Sequence, residues 1–284
     1  MIILALDFRM KHRKRNNTLP GILTGLLAGF VFIMPATMKA QTMEIGISGG
    51  VSYYTGDINP AIPYVYSKPA FGALIRYNIN NRWAARFSYT RGGLMGDDLK
   101  SKAVEFRNLN FKTHLNDFAL VAEFNFWDYF TGSKRNYFTP YLFGGVGIFN
   151  FRPKNFDGVD LQKHGTEGQH VGYDDRKPYN LWNVSFPFGF GFKYSLSSRL
   201  SLGLEWGMRK TFTDYIDDIS KTYYTDDDPV SDPITRPWDP DKQLHNEGMQ
   251  RGNSKSMDWF NVTLLSLTYK FNLYGSKKCR DNVW

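Results

Sequence analysis

The chain has 284 residues, of which 42% are hydrophobic and 17% aromatic, a length that allows one large domain or two small ones. Its formal net charge of +8 would suit a nucleic-acid partner, but residues 1–40 hold six of the 35 bases and one of the 27 acids, so the rest carries only +3. We therefore expect no nucleic-acid partner. The single cysteine, Cys279, excludes an intramolecular disulfide.

The first 40 residues have the layout of a secretory signal peptide. A basic segment, Lys11–Arg15, precedes an apolar run from Leu19 to Met34, and Ala40 is the expected residue before the cut. An uncleaved inner-membrane helix is the alternative, although a run of roughly 16–18 residues is short for a span of about 20. We predict a signal peptide over 1–40, a barrel over 41–273 and a periplasmic tail over 274–284.

Eight later segments alternate large apolar residues with polar or small ones. Successive side chains of a strand point to opposite faces, so a period of two predicts strands with one apolar face. Trp182–Leu196 shows the pattern most clearly, whereas the glycine-rich segment Thr139–Phe149 leaves its two faces ambiguous. The predicted strands are Glu44–Tyr54, Phe71–Ile79, Trp83–Arg91, Asp117–Trp127, Thr139–Phe149, Trp182–Leu196, Leu200–Lys210 and Trp259–Phe271.

The connections between these strands alternate between short and long. Asn80-Asn81 and Ser197–Arg199 are tight turns, and 128–138, on the same side, is of medium length. The long connections are 56–69, 92–116, 150–181 and 211–258. Short periplasmic turns opposite long extracellular loops are typical of outer-membrane barrels.

The predicted fold class is therefore all-β: a transmembrane antiparallel up-and-down β-barrel of about eight strands, in contact with outer-membrane lipid. Closure is required because no backbone polar group can remain unpaired in hydrocarbon. A soluble β-sandwich or a lipocalin is the alternative, in which the strands would turn their polar face to water and pack the apolar one.

Charged residues recur on the face opposite the apolar one. A barrel of about eight strands is filled by its own side chains, so we predict a buried ion network that serves packing and not conduction. Its predicted members are Arg76, Arg86, Glu123, Lys193, Glu205 and Arg209.

The loops offer only weak candidates for chemistry. His164 and His170 with Glu167 are spaced irregularly for a metal, and the acidic runs Asp214–Asp218 and Asp226–Asp228 lack the spacing of a calcium loop. No motif singles out a nucleophile, so an enzyme at the barrel rim is a third-ranked alternative. We expect no catalytic residue, no metal and no cofactor.

Several segments together resemble the PorG-like outer-membrane barrels associated with type IX secretion, over about residues 44 to 271. They include Ser52–Pro60, Thr139–Gly147, Gly165–Gln169 and Gln250–Ser254. The most specific is the motif Arg209, Lys210, Thr211, Phe212, Thr213, Asp214 and Tyr215.

The resemblance implies a non-enzymatic role in protein secretion and association with a periplasmic ring of the PorK lipoprotein and PorN. By topology, turn 128–138 and the tail Asn272–Trp284 would face the periplasm and offer contacts to that ring. The alternative is a general surface barrel for adhesion or ligand binding through the long loops 150–181 and 211–258.

Overall fold

The computed structural model describes residues 42–60, 63–101, 107–224 and 246–272. The predicted signal peptide, the tail 274–284, Asp226–Asp228 and Cys279 lie outside these residues. The strands are β1 Thr42–Thr55, β2 Lys68–Asn78, β3 Trp83–Asp97, β4 Asn110–Asn125, β5 Phe138–Phe151, β6 Trp182–Ser195, β7 Leu200–Thr211 and β8 Trp259–Asn272. Two single-turn helices, α1 Asp98–Ser101 and α2 Leu161–His164, and a 3₁₀ turn at Tyr173–Asp175 lie in the connections. No helix among the described residues is long and apolar enough to cross a membrane.

Each strand pairs antiparallel with the next, and β8 returns to pair with β1. The closing seam runs from Thr42 opposite Asn272 to Thr55 opposite Trp259. The predicted fold class, an antiparallel up-and-down barrel of eight strands, is confirmed.

The outer face of the barrel is apolar. Ile47 and Leu120, for example, leave 69% and 56% of their surface exposed. The acidic residues of the strands are all buried instead: Glu44, Asp97, Asp117, Glu123 and Glu205. Such a surface is solvated by lipid and not by water, and a closed barrel of this kind is how proteins span the bacterial outer membrane. The protein is an outer-membrane barrel, and the soluble alternative is excluded because the apolar face lies outside.

β3 and β4 extend further than their sequence pattern predicts. The connection expected over 92–116 spans only 98–109. The inward residue Leu115 stays buried in the extension, but the outward Lys112 and His114 are exposed and polar. The alternation therefore ends where the outer surface leaves the hydrocarbon, although the strand pairing continues.

The medium-length turn 126–137 folds back into the periplasmic end of the barrel. Tyr129 and Thr131 are buried, and the Thr131 hydroxyl donates a hydrogen bond to Glu44 Oε1 at 2.7 Å. The exposed charged residues Lys134 and Arg135 lie at its tip. This turn covers the periplasmic mouth.

The four long connections cover the opposite end; we call their described residues the extracellular cap. Their apolar side chains pack against the ends of the strands in one core. That core comprises Tyr54, Ile58, Leu94, Leu109, Phe111, Leu115, Phe149, Phe151, Leu161, Ile216, Ile219 and Phe260.

Candidate functional site

Glu123 on β4 is the centre of a buried ion network inside the barrel. Its carboxylate lies 2.8 Å from Arg76 Nε and 2.6 Å from Lys193 Nζ. Arg86 Nε lies 2.8 Å from the other oxygen, in ionic contact without hydrogen-bond alignment. Four strands thus bring three cations onto one carboxylate.

Two further carboxylates complete this network. Arg76 Nη1 donates to Glu44 Oε2 at 2.7 Å, and Arg86 Nη1 lies 2.6 Å from Glu205 Oε2. Arg209 does not join it, because its Nε donates to Asp117 Oδ2 at 3.2 Å in a separate pair. Glu44 and Asp117 were not among the predicted members. Each was the first residue of its predicted segment, where a period of two gives the least information about facing.

The interior ion pairs contain equal numbers of cations and carboxylates, and a further inward cation, Lys270, lies opposite Glu44 and donates to the Thr131 carbonyl. Four cations, Arg76, Arg86, Lys193 and Arg209, face four carboxylates, Glu44, Asp117, Glu123 and Glu205. Neutral groups add two hydrogen bonds: Tyr141 donates to Glu205 at 2.8 Å, and Lys193 donates to Asn125 at 2.9 Å. Charges in a low-dielectric interior are tolerated when they are paired in this way.

A second polar cluster holds the extracellular cap together, and the sequence analysis did not predict it. Arg107 donates two hydrogen bonds to Asp98, at 2.7 and 2.6 Å. The same guanidinium donates to the carbonyl oxygens of Arg251, at 3.0 Å, and Asp57, at 2.9 Å. One arginine therefore joins the first, second and fourth extracellular loops.

Glu167 connects the third loop to the fourth. It is fully buried, lies 3.2 Å from Arg251 Nη1 and accepts the backbone N–H groups of Ser220 and Lys221. The ring of His170 instead contacts the carbonyl of Gln162 at 3.0 Å. The trio His164, His170 and Glu167 therefore does not form a metal site. Among the residues described, no group of three or more His, Cys, Asp or Glu could hold a metal ion.

Tyr54, Asp217 and Asp258 share protons beneath the cap. The Tyr54 hydroxyl lies 2.6 Å from Asp217 Oδ2 and 2.5 Å from Asp258 Oδ1. A tyrosine has one proton to donate, so the second contact requires a protonated carboxyl group. Burial raises the pKa of Asp217 to about 7, and burial together with the Asp217 charge raises the pKa of Asp258 well above its usual value.

The motif Arg209–Tyr215 runs from the barrel wall into the cap. Its first three residues lie on β7, with Arg209 inside and Lys210 outside over the Trp259 ring. Phe212 is exposed, whereas Thr213 and Asp214 are buried, and Tyr215 stacks on Tyr179 at 4.6 Å between ring centroids. Burial raises the pKa of Asp214 to about 8. The motif therefore connects the interior pairs to the cap.

Asp98 and Glu167 are engaged in ion pairs and backbone hydrogen bonds, and Asp217 and Asp258 share protons with Tyr54. Such contacts fix loops to one another and to the barrel. The geometry of both clusters suits a rigid closed barrel with a folded extracellular cap.

Solved structures similar to this chain include three outer-membrane proteins. The N-terminal barrel domain of Pseudomonas aeruginosa OprF is 13% identical, with 82% of this chain and 100% of that chain covered and a TM-score of 0.39. Yersinia pestis Ail in complex with the heparin analogue sucrose octasulfate is 11% identical, with 82% and 100% covered and a TM-score of 0.41. P. aeruginosa OprG is 10% identical, with 82% and 97% covered and a TM-score of 0.42.

The barrel assignment rests on the strand pairing of the chain itself. The search of curated proteins finds no match to the sequence. A family profile does match, over residues 24–280. The chain belongs to the family described as DUF6089, a domain of unknown function.

Proposed function

We propose that the protein is a non-enzymatic outer-membrane component of the type IX secretion machinery that associates with the periplasmic ring of PorK and PorN. The observation that carries the proposal is the filled barrel: balanced interior ion pairs between a folded-back periplasmic turn and a packed extracellular cap. A barrel of this kind acts through its surfaces and not by passing cargo through its lumen. The resemblance of the motif Arg209–Tyr215 supports the choice of machinery.

Among the described residues, the periplasmic end carries an excess of positive charge. Exposed bases there are Arg82, Lys134, Arg135 and Arg199, and the exposed acid Asp128 pairs with Arg82 at 2.5 Å. Opposite charges on two partners favour encounter and fix their orientation. An acidic surface on the ring would suit this end of the barrel.

The test combines deletion with affinity capture. Deleting the gene is expected to abolish secretion of type IX cargo, and capture of the full protein from detergent-solubilised outer membrane is expected to recover the ring proteins. The double variant Lys134→Glu/Arg135→Glu should weaken capture. The matched control is Lys163→Glu, an exposed charge reversal on α2 in the cap. Normal cargo secretion in the deletion strain would overturn the proposal.

A surface-binding role remains the second candidate because the cap exposes apolar side chains. Val171 and Met249 leave 65% and 49% of their surface exposed. Isolated exposed apolar residues are common, and a larger patch would indicate a binding surface. The double variant Val171→Ser/Met249→Ser separates the two roles. Lost adhesion with normal secretion would favour surface binding, whereas unchanged adhesion would count against it.

A further inference from the structure

Six basic side chains gather on one side of the barrel at the extracellular ends of β2 to β5. They line a groove of about 430 Å³ that also includes Pro69, Phe71 and Leu94. We call this set the basic rim: Lys68, Arg91, Lys112, His114, Arg152 and Lys154.

The basic rim begins where the apolar outer face ends. On β3, the outward positions Phe87 and Tyr89 are followed by Arg91, which lies opposite Phe71 of β2. On β4, Lys112 lies four residues beyond the position paired with Arg91. At roughly 3.3 Å per residue, Lys112 therefore lies about 13 Å further toward the extracellular end of the barrel wall than Arg91.

Lipid-facing rings lie directly below the bases. Tyr89 and Phe118 pack with centroids 4.9 Å apart, one pleat nearer the periplasm than Arg91. Exposed Phe71 and Leu120 continue the apolar surface on either side. The bases therefore sit at headgroup depth, where a charge on the outer face costs little.

Little acidic charge among the described residues offsets the basic rim. Asp160 lies 3.7 Å from Arg152, and Lys112 Nζ donates to the Phe156 carbonyl at 2.7 Å. The acidic residues of β2 to β5 all point inward and are buried. Among the described residues, Asp160 is the one acid in ionic contact with these bases, so the cations outnumber their acidic partners, which favours the binding of an anion.

The opposite side of the barrel differs at the same level. Exposed Phe212 follows β7 there, and the one exposed base on β6 to β8, Lys210, lies over the Trp259 ring at 5.8 Å. Amphipathic rings of this kind anchor a barrel at the interface without selecting a charged headgroup. Among the strand residues at this level, the exposed bases are therefore concentrated on the side of β2 to β5.

We propose that the basic rim binds the phosphorylated headgroup of an outer-leaflet glycolipid, with the acyl chains lying along the rings below. Arginine forks bind phosphate oxygens in pairs, and lysines add point charges. A lipid fits better than a free anion because the cations face the bilayer and continue into an apolar surface. The inference is independent of the secretion role.

The test measures glycolipid binding to the purified full protein in detergent by native mass spectrometry. The probe is a bisphosphorylated lipid A, compared with the same lipid after phosphatase treatment. The triple variant Arg91→Gln/Lys112→Gln/Arg152→Gln should bind the phosphorylated form about a hundredfold more weakly, as expected for three lost charges facing an anion. The control Lys210→Gln should bind like the unchanged protein.

Three outcomes would overturn the proposal: equal binding by the triple variant, equal binding of the dephosphorylated lipid, or equally tight binding of heparin, which lacks acyl chains. The shift of folded barrel on an unheated gel verifies folding. Should the triple variant not fold, Arg152→Gln alone, beyond the end of β5, is expected to weaken binding about fivefold. Unchanged binding by that variant would equally contradict the proposal.

Discussion

The hydroxyl of Tyr54, near the end of β1, lies 2.6 Å from Oδ2 of Asp217 in the fourth extracellular loop. The contact joins residues 163 positions apart and fastens the cap to the barrel wall. Because Asp258 contacts the same hydroxyl, the fastening depends on a proton held between the two carboxyl groups.

We predict that the cap loosens as the pH rises. Burial raises the pKa of Asp218 to about 6, of Asp217 to about 7 and of Asp214 to about 8, from a usual value near 4. The folded state therefore holds more protons than the unfolded one between about pH 4 and 8, so this contribution to stability is present below pH 4 and is lost across that window. The protection factors of the cap amides, which compare the observed hydrogen exchange with the intrinsic rate at each pH, should fall from pH 5 to pH 8.

The variant Asp217→Asn provides the control for this prediction. The amide still offers Tyr54 a hydrogen-bond partner but no longer titrates, so the fall of the cap protection factors with pH should become shallower. Asp157→Asn, an exposed position in the third loop, should leave it unchanged. Identical slopes for the unchanged protein and Asp217→Asn would show that this proton does not fasten the cap.

Glu123→Gln should strongly destabilise the barrel. The substitution preserves shape but leaves Arg76, Arg86 and Lys193 without their shared carboxylate. Breaking a buried ion pair costs about 3–5 kcal/mol. Urea unfolding in lipid vesicles measures the loss. The exposed pair Arg82–Asp128 is the comparison, and Asp128→Asn should cost less than about 1 kcal/mol. Similar losses for the two variants would contradict a structural role for the network.

Neighbouring glycines of β5 should respond differently to alanine. A Cβ at Gly145 would lie 2.1 Å from the Leu120 carbonyl oxygen, whereas a Cβ at Gly144 would meet nothing within 4 Å. Overpacking of this kind costs about 1–3 kcal/mol. Gly145→Ala should therefore lower the free energy of unfolding in vesicles, and Gly144→Ala should leave it nearly unchanged. The reverse order would indicate a different approach of β4 to β5.

An arginine substituted on the outer face should strongly lower the free energy of unfolding only in the middle of the bilayer. Leu120 is exposed midway between the Trp83–Phe124 ring pair and the basic rim, and His114 lies within that rim. Leu120→Arg should destabilise the folded barrel by about 2–4 kcal/mol, and His114→Arg by about 1 kcal/mol or less. Vesicle unfolding measures both. Equal costs would place the hydrocarbon boundary elsewhere.

The strands could be predicted because every outward-facing position within the hydrocarbon favours an apolar side chain. Where the outer surface meets headgroups or water, as at Lys112 and His114, outward positions are polar and the alternation disappears. The predicted strands therefore end too early. Thr139–Phe149 was ambiguous for a different reason. Its large rings Tyr141, Phe143 and Phe149 point inward beside small residues of neighbouring strands. The size of a side chain in this segment therefore does not indicate whether it points into the barrel or toward lipid.

The alternation of side chains could predict neither the partners of the ion pairs nor the packing of the cap. Alternation assigns Arg209 to a face but cannot tell that its partner is Asp117, since the pairing depends on strand register. The cap cluster joins residues from four loops that share no period. One signal was available: Ile216 and Ile219 flank Asp217 and Asp218, and apolar residues on both sides of an acidic pair indicate burial of the whole turn.

The seam between β1 and β8 governs the order in which the protein can be assembled. Its two edges come from opposite ends of the barrel sequence, so neither is satisfied until Trp259–Asn272 has been synthesised. A nascent chain that stops earlier carries two bare sheet edges that hydrocarbon cannot accommodate. Closure of the barrel in the membrane therefore requires export of the polypeptide through the last residues of β8.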